Sequence, residues 1–208
     1  MSPAASNDAI QGAALATMQV LFRAFTNILL RRDGPDVLPA SPFLLQFALA
    51  AYLAVSFTGL LIDGTLLREF TTSAAAVLFD AGLLSAWIWV MLGVAGHPKR
   101  FRQSLTAALG CGAIIGFYTL PVLFILIAGQ PVAVDDVAGT NSDPGLQLPV
   151  LSRIAVAVYV VMLAWYAAVM GHILAAAMEI HALAGLALGI FYVLASLAIV
   201  GALFPLGT

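Results

Sequence analysis

The sequence predicts an all-α integral membrane protein, a bundle of five transmembrane helices with an N-terminal amphipathic interfacial helix. Hydrophobic residues make up 62% of the 208 residues and charged residues only 9%, whereas soluble domains carry about 25% charged residues. Five apolar stretches are also long enough for a hydrocarbon core of about 30 Å, which takes roughly 20 helical residues to cross. The chain therefore divides into an N-terminal segment, 1–41, and a five-span transmembrane domain, 42–208, whose surroundings are the lipid bilayer.

The first predicted element is a helix over residues 10–30 that lies in the membrane surface. Its apolar residues follow helical spacing and its polar residues gather on the opposite side. The apolar set is Ala14, Met18, Leu21, Phe22, Phe25, Ile28 and Leu29, and the polar set is Gln19, Arg23, Thr26 and Asn27. An interfacial helix has this pattern, and packing against the protein's own cytoplasmic loops is the alternative. A sixth span is disfavoured because Arg23 would lie near the bilayer centre.

A proline-rich elbow, RRDGPDVLPASP, connects this helix to the spans, and turn chemistry bounds the spans themselves. Ser41 supplies a helix N-cap and Pro42 a proline in the first turn, while Gly96, His97 and Pro98 end the second span. The predicted spans are residues 42–62, 73–95, 104–128, 150–176 and 182–204.

The distribution of basic residues predicts a cytoplasmic N-terminus and a periplasmic C-terminus. With that orientation six of the eight basic residues face the cytoplasm, as the positive-inside rule requires. The cytoplasmic set is Arg23, Arg31, Arg32, Lys99, Arg100 and Arg102, and the remaining two are Arg68 and Arg153. The third loop, 130–149, then faces outwards with three aspartates, Asp135, Asp136 and Asp143, and no base.

Several functional classes are disfavoured by what the sequence lacks. Eight basic residues against ten acidic ones offer no basic surface for nucleic acid. There is no Ser-His-Asp set, nucleophile elbow, carboxylate pair or phosphate loop, so we expect neither an enzyme nor a cofactor.

Asp80 is the clearest intramembrane ionisable residue, in the stretch LFDAGLLSAWIW of the second span. It is predicted roughly 10 Å below the outer boundary at 1.5 Å per residue. One reading is proton or cation handling; the other is a structural carboxyl hydrogen-bonded to Tyr118, Ser56 or Thr58. The structural reading is favoured because a transport pathway normally has several such groups at matching depths.

A second polar cluster, HILAAAMEIH, contains His172, Glu179 and His181 near the cytoplasmic end of the fourth span. His172 and Glu179 are seven residues apart and share a helix face, which His181 does not. Metal ligands on a helix are three or four residues apart, so no metal site is predicted. Glu179 and His181 are expected to cap the turn before the fifth span.

Small residues recur every four positions on the third, fourth and fifth spans. They let helix backbones approach closely, either within the bundle or against a partner. The repeating residues are Ala108, Gly112 and Gly116, then Ala167, Gly171 and Ala175, then Gly185 and Gly189. In the third span, Pro121 frees the carbonyl of Phe117 and is expected to bend the helix.

Two short motifs resemble those of the Yip1-domain family of five-span membrane proteins. They are Asp33-Gly34-Pro35, shortly before the first span, and GFYTLP at 116–121. The first lacks the aromatic-containing pair that the family places between Asp and Gly, and in the second Phe117 takes the place of tyrosine. The resemblance implies a cytoplasmic N-terminus and a non-enzymatic protein that binds other membrane proteins, which in eukaryotes are trafficking GTPases.

The residues and the resemblance together predict a function in lateral association, as a scaffold, assembly factor or accessory subunit. The predicted site combines the faces around Gly112, Gly116, Gly185 and Gly189 with the elbow and Pro121, and the partner is a membrane protein or a second copy. The alternative is a small proton, cation or solute transporter centred on Asp80 beside Tyr118. Arginine supplies all but one of the eight basic residues and the spans are rich in alanine, which indicates a bacterial inner membrane.

Overall fold

A computed structural model of the chain describes residues 19–64, 70–128 and 150–204, and within these ranges it is helical without strands. Five helices are long and apolar enough to cross a membrane, which confirms the predicted fold class. We number the helices α1, residues 19–29; α2, Pro42–Asp63; α3, Phe70–Val94; α4, Phe101–Ala128; α5, Val150–Met178; and α6, Ala182–Leu203. Residues 10–18 of the predicted N-terminal helix, Arg68 and the predicted loop 130–149 lie outside the described ranges.

The predicted helix boundaries follow from local capping. Ser41 is the N-cap of α2 and its hydroxyl accepts a hydrogen bond from the Leu44 amide at 3.5 Å, with Pro42 in the first turn. The chain leaves α3 at Gly96, which has a φ of 79°. The His97 amide then donates to the Leu92 carbonyl at 2.9 Å. This left-handed glycine is the usual end of a helix.

Two other helices end in the same way without a glycine. Arg31 after α1 has a φ of 56° and Glu179 after α5 has a φ of 57°. In each case the next residue's amide donates to a carbonyl five residues back, from Arg32 to Asn27 at 2.9 Å and from Ile180 to Ala175 at 3.1 Å. A side chain in this region is strained by about 1 kcal/mol or more. At Glu179 the side chain forms a salt bridge with Arg100.

The transmembrane helices form a closed bundle. α4 packs against α2 and α5, α5 packs against α6, and α3 lies between α2 and α6. The core is mostly apolar towards one end, where α3 buries Leu84, Ile88 and Leu92 completely. We call this the basic end, because Arg31, Arg32, Lys99, Arg100 and Arg102 lie there.

The apolar face of α1 packs onto the protein's own spans. Ile28 is fully buried, and the Phe25 ring occupies the space that a side chain at Gly110 of α4 would need. Trp165 of α5 donates its indole N–H to the Leu29 carbonyl at 3.3 Å. The predicted alternative of packing on loops therefore needs correction, since α4 and α5 supply the contact. Phe22, predicted on the apolar face, is 69% exposed.

The elbow is held against α4 and α5 by hydrogen bonds. Asn27 donates to the Asp33 carboxylate at 2.7 Å, and His172 donates from Nε2 to the Asp33 carbonyl at 2.9 Å. Gln103 of α4 donates to the Leu38 carbonyl at 2.9 Å. Gly34 lies close to Ala176 of α5. His172 is thus a connector between the elbow and α5 rather than a partner of Glu179.

Candidate functional site

Five polar side chains lie at similar depth in the middle of the bundle. At 1.5 Å per residue, Tyr52 of α2 and Tyr192 of α6 are each about 15 Å from the basic end of their helices. By the same measure Tyr166 of α5 lies at about 18 Å, and Asp80 and Ser196 at about 21 Å. Because α3 begins at Phe70 rather than at residue 73, Asp80 is about 15 Å from the opposite end, deeper than predicted.

The Asp80 carboxyl is hydrogen-bonded on both oxygens. The Tyr52 hydroxyl donates to Oδ2 at 2.5 Å and the Ser196 hydroxyl donates to Oδ1 at 2.6 Å. Helices α2, α3 and α6 therefore meet at this group.

None of the predicted partners of Asp80 is hydrogen-bonded to it. Ser56 and Thr58 each donate to a backbone carbonyl four residues earlier in α2, that of Tyr52 and that of Ala54. Tyr118 is 61% exposed and packs edge-on against Phe117. The prediction failed because a hydroxyl in a helix can satisfy itself on its own backbone, and because rotation of α4 turns Tyr118 outwards.

Two cavities adjoin this cluster and share Tyr52 and Tyr166. The first has a volume of about 600 Å³ and contains Asp80, Tyr192 and Ser196. The second, about 280 Å³, lies between α2, α4 and α5. Tyr118 lines neither cavity, although the transport hypothesis placed a crevice beside it. Pro121 lies within the continuous helix α4 and does not line either cavity.

The cavities extend away from the basic end. The larger one continues past Val200 and Gly201 to Phe204, near the opposite end of α6. In the other direction the bundle is closed by side chains with no exposed surface, among them Leu84, Met170 and Ile173. The site is therefore accessible from one end of the bundle and sealed towards the other.

One hydroxyl of the cluster has no hydrogen bond of normal geometry. The Tyr166 hydroxyl is buried, and the Tyr192 side chain lies beside it without forming such a bond. Tyr166 lines both cavities. An unsatisfied buried polar group is unfavourable by about 1–3 kcal/mol, so this hydroxyl is a natural contact for a bound molecule.

The small-residue faces are occupied within the chain. At Gly185 an added Cβ would overlap Gly171, and at Gly189 it would overlap the Ala167 carbonyl, so α5 and α6 are in backbone contact. A Cβ at Gly112 would lie 3.1 Å from the Tyr52 ring, and one at Gly116 would lie 2.8 Å from Val55. The expectation that a partner uses these four glycines is therefore corrected.

The turn between α5 and α6 forms a separate cluster at the basic end. Arg100 donates to the Glu179 carboxylate at 2.5 Å and to the Ala177 carbonyl at 3.2 Å, which stabilises the C-terminus of α5. By this hydrogen bond and by its charge, Arg100 lowers the pKa of Glu179, and His97 adds a smaller effect. His181 is the N-cap of α6, where its Nδ1 accepts from the Leu183 amide at 3.3 Å, as expected.

Sequence reasoning missed Tyr52 and did not bring Tyr166, Tyr192 and Ser196 together with Asp80. Counting each residue's distance from the basic end of its helix would have placed all five in one layer. The sequence carries no comparable signal for which face of each helix points into the bundle, since the spans are apolar on all sides.

Comparison with known proteins identified no relative of this chain. No family model, curated protein or solved structure matches the chain.

Proposed function

We propose that the protein is a non-enzymatic membrane transporter of a small solute, with Asp80 as its central binding group. The observation that supports this proposal is the cavity of about 600 Å³ that holds the Asp80 carboxyl and the hydroxyl of Ser196. Ligand sites typically have volumes of 300–1,000 Å³, mostly apolar walls and a few converging polar groups. Intramembrane ionisable residues also mark transport pathways.

The closed basic end gives the proposed mechanism its direction. By the positive-inside rule the basic end is cytoplasmic, so the cavity is the outward-facing state of a carrier. Release to the cytoplasm then requires separation of the apolar layer that includes Leu84, Met170 and Ile173, in the way that alternating-access carriers rock one part of a bundle against another.

Cysteine accessibility tests this proposal. We would introduce Ser196→Cys or Val200→Cys in a Cys111→Ala background, since Cys111 is the only native cysteine and is buried. Right-side-out and inverted vesicles would be treated with a membrane-impermeant cationic methanethiosulfonate reagent. We expect both cysteines to react from both sides, faster from outside.

Two further cysteine variants serve as comparisons in this experiment. Leu194→Cys, 60% exposed, lies outside the cavity on α6 and should not react from either side. Leu84→Cys lies in the buried apolar layer and should react only from the cytoplasmic side, when that layer separates. Reaction of Ser196→Cys and Val200→Cys from one side only would limit the protein to binding, and reaction from neither side would refute the cavity as a solute site.

A second proposal, lateral association, is supported by the elbow. Hydrogen bonds to α4 and α5 hold it in place, yet Asp36 and Val37 of its Pro35–Val37 turn are exposed. An ordered turn with an acidic and an apolar residue on its surface suits a membrane-protein partner or a second copy. Asp36→Lys with Val37→Asp should then lower co-purification of that partner, whereas Val94→Asn, an exposed position on α3, should not.

A further inference from the structure

The Asp80 carboxyl has no positively charged partner in the described ranges. The one salt bridge found there joins Arg100 to Glu179 at the basic end. Asp80 instead has two hydroxyl donors, and both are neutral. A negative charge in the bilayer normally pairs with a cation. A positive charge to pair with the Asp80 carboxyl is therefore missing, and a cationic ligand in the adjacent cavity would supply it.

A metal ion fits this site poorly. Calcium takes six to eight oxygen ligands, and magnesium requires nearly ideal octahedral geometry. Asp80 is the one carboxylate in the cavity, and the described residues contain no group of three acidic, histidine or cysteine side chains. The remaining oxygen donors are neutral hydroxyls, so a hard cation would have to keep most of its water in a cavity with largely apolar walls.

The walls instead suit an organic cation. Tyr52, Tyr166 and Tyr192 come from three helices and all line the cavity, and aromatic rings attract ammonium groups by cation–π interaction. Tyr192 is held from behind by Trp87, whose ring centroid is 6.1 Å away. Towards the opening, apolar side chains would cover an uncharged part of the ligand; they are Val193, Leu197, Val200 and Phe204.

The Tyr166 hydroxyl indicates which kind of ammonium group the cavity suits. It is buried without a hydrogen bond of normal geometry between the two cavities, and its oxygen can accept a hydrogen bond. A primary ammonium has three N–H donors, enough for both the carboxylate and this hydroxyl, whereas a quaternary ammonium has none.

We infer that the cavity binds a protonated primary amine that carries an apolar group, with its ammonium between Asp80 and Tyr166. This inference rests on the proposed function, since it names the class of solute that the same site takes. The apolar group extends past Val193 and Leu197 towards Phe204.

Binding of 2-phenylethylammonium to the full-length protein in detergent micelles tests the inference, measured by calorimetry and by Trp fluorescence. The probes for comparison are 2-phenylethanol, which is similar in shape and uncharged, the N-trimethylated amine, and sodium chloride at equal ionic strength. We expect the primary amine to bind more tightly than the other three.

Variants assign the contacts. Asp80→Asn should weaken amine binding about tenfold or more, as expected for loss of a charged hydrogen bond. Tyr166→Phe should weaken binding of the primary amine but leave the trimethylated amine unchanged, and it stays informative if Asp80→Asn does not fold. Tyr118→Phe, exposed and outside both cavities, is the matched control and should bind as wild type.

The possible outcomes distinguish failure of this inference from failure of the proposed transport function. Equal binding of 2-phenylethanol, unchanged amine binding by Asp80→Asn, or binding of sodium alone would each overturn the assignment to primary amines. Absence of binding by all probes would overturn it too, and cysteine accessibility at Ser196 and Val200 would then show independently whether a transport cavity exists.

Discussion

At the scale of single residues, the buried hydroxyls around Asp80 are not equivalent. Tyr52 donates to the carboxylate, whereas Tyr166 is buried without a hydrogen bond of normal geometry. The same chemical change, loss of a tyrosine hydroxyl, therefore has opposite consequences at the two positions. A group that is unsatisfied in the free protein lowers stability and is typical of binding sites, which give up stability for function.

We predict that Tyr52→Phe lowers the free energy of unfolding by about 1.5–3 kcal/mol, the range for hydrogen bonds to charged groups. Tyr166→Phe should leave it within about 1 kcal/mol of wild type or raise it, because the lost hydroxyl made no hydrogen bond of normal geometry. Unfolding in detergent micelles with increasing denaturant measures both, with Tyr118→Phe as the exposed control. A larger loss for Tyr166→Phe than for Tyr52→Phe would contradict this account.

At the scale of elements, close contact between α5 and α6 depends on glycine. We predict that Gly189→Ala destabilises the protein by about 1–3 kcal/mol, since the added methyl group would overlap backbone atoms of Ala167 and Gly171. Gly93→Ala on α3 is the matched control because nothing lies within 4 Å of its Cβ position. There the change should raise stability by about 0.5–1 kcal/mol, through the lower backbone entropy of the unfolded chain.

Thermal unfolding of both glycine variants in micelles gives the comparison. Similar midpoints for Gly189→Ala and wild type would show that α5 and α6 can separate without loss of stability. The result also bears on association, because a glycine occupied within the chain cannot at the same time receive a partner's helix.

The ion pair between the 3-10 turn Pro98–Arg100 and the end of α5 predicts a dependence on pH. Arg100 lowers the pKa of Glu179 in the folded state below its ordinary value of 4.5. The pair therefore stabilises the protein at pH values above 4.5, and this contribution disappears as the pH falls through the lowered pKa. Glu179→Gln should have a lower melting temperature than wild type at pH 7, and the difference should shrink as the sample is acidified.

Melting temperatures measured from pH 7 down to acid conditions test that prediction, with Glu179→Gln and Arg100→Gln compared. Glu179→Gln should converge on wild type in the acidic range, whereas Arg100→Gln should keep a smaller difference there, because it also loses the hydrogen bond to the Ala177 carbonyl. A difference for Glu179→Gln that stays constant across the whole series would show that its side chain acts through packing and not through charge.

At the scale of the whole molecule, the basic end gives the bundle an orientation that reporter fusions can test. We predict that a reporter at Gly96, beside the basic end, is cytoplasmic, and that one at Asp143 is on the opposite side of the membrane. Helix α4 separates the two sites with a span of 28 residues. Reporters that place both sites on one side would invalidate the five-span topology and the outward direction of the cavity.

Much of the fold is predictable because its signals are local. Apolar length, the Ser41 and Pro42 cap and the left-handed Gly96 all act within a few residues, and the predicted spans differ from the observed helices by no more than three residues at either end. The site was only partly predictable. Asp80 is conspicuous as an aspartate in an apolar helix, but its partners lie 28 and 116 residues away in sequence.

The sequence by itself determined the number, length and ends of the spans, because a bilayer accepts only helices of a certain apolar length and backbone caps are chosen locally. Only the tertiary structure decided which helix faces meet. Lipid solvates every face of an apolar helix equally well, so its rotation is set by packing with neighbours across the whole chain. That packing turns Tyr52 and Ser196 towards Asp80, turns Tyr118 away, closes α5 onto α6 at Gly189 and seats Phe25 of α1 at Gly110.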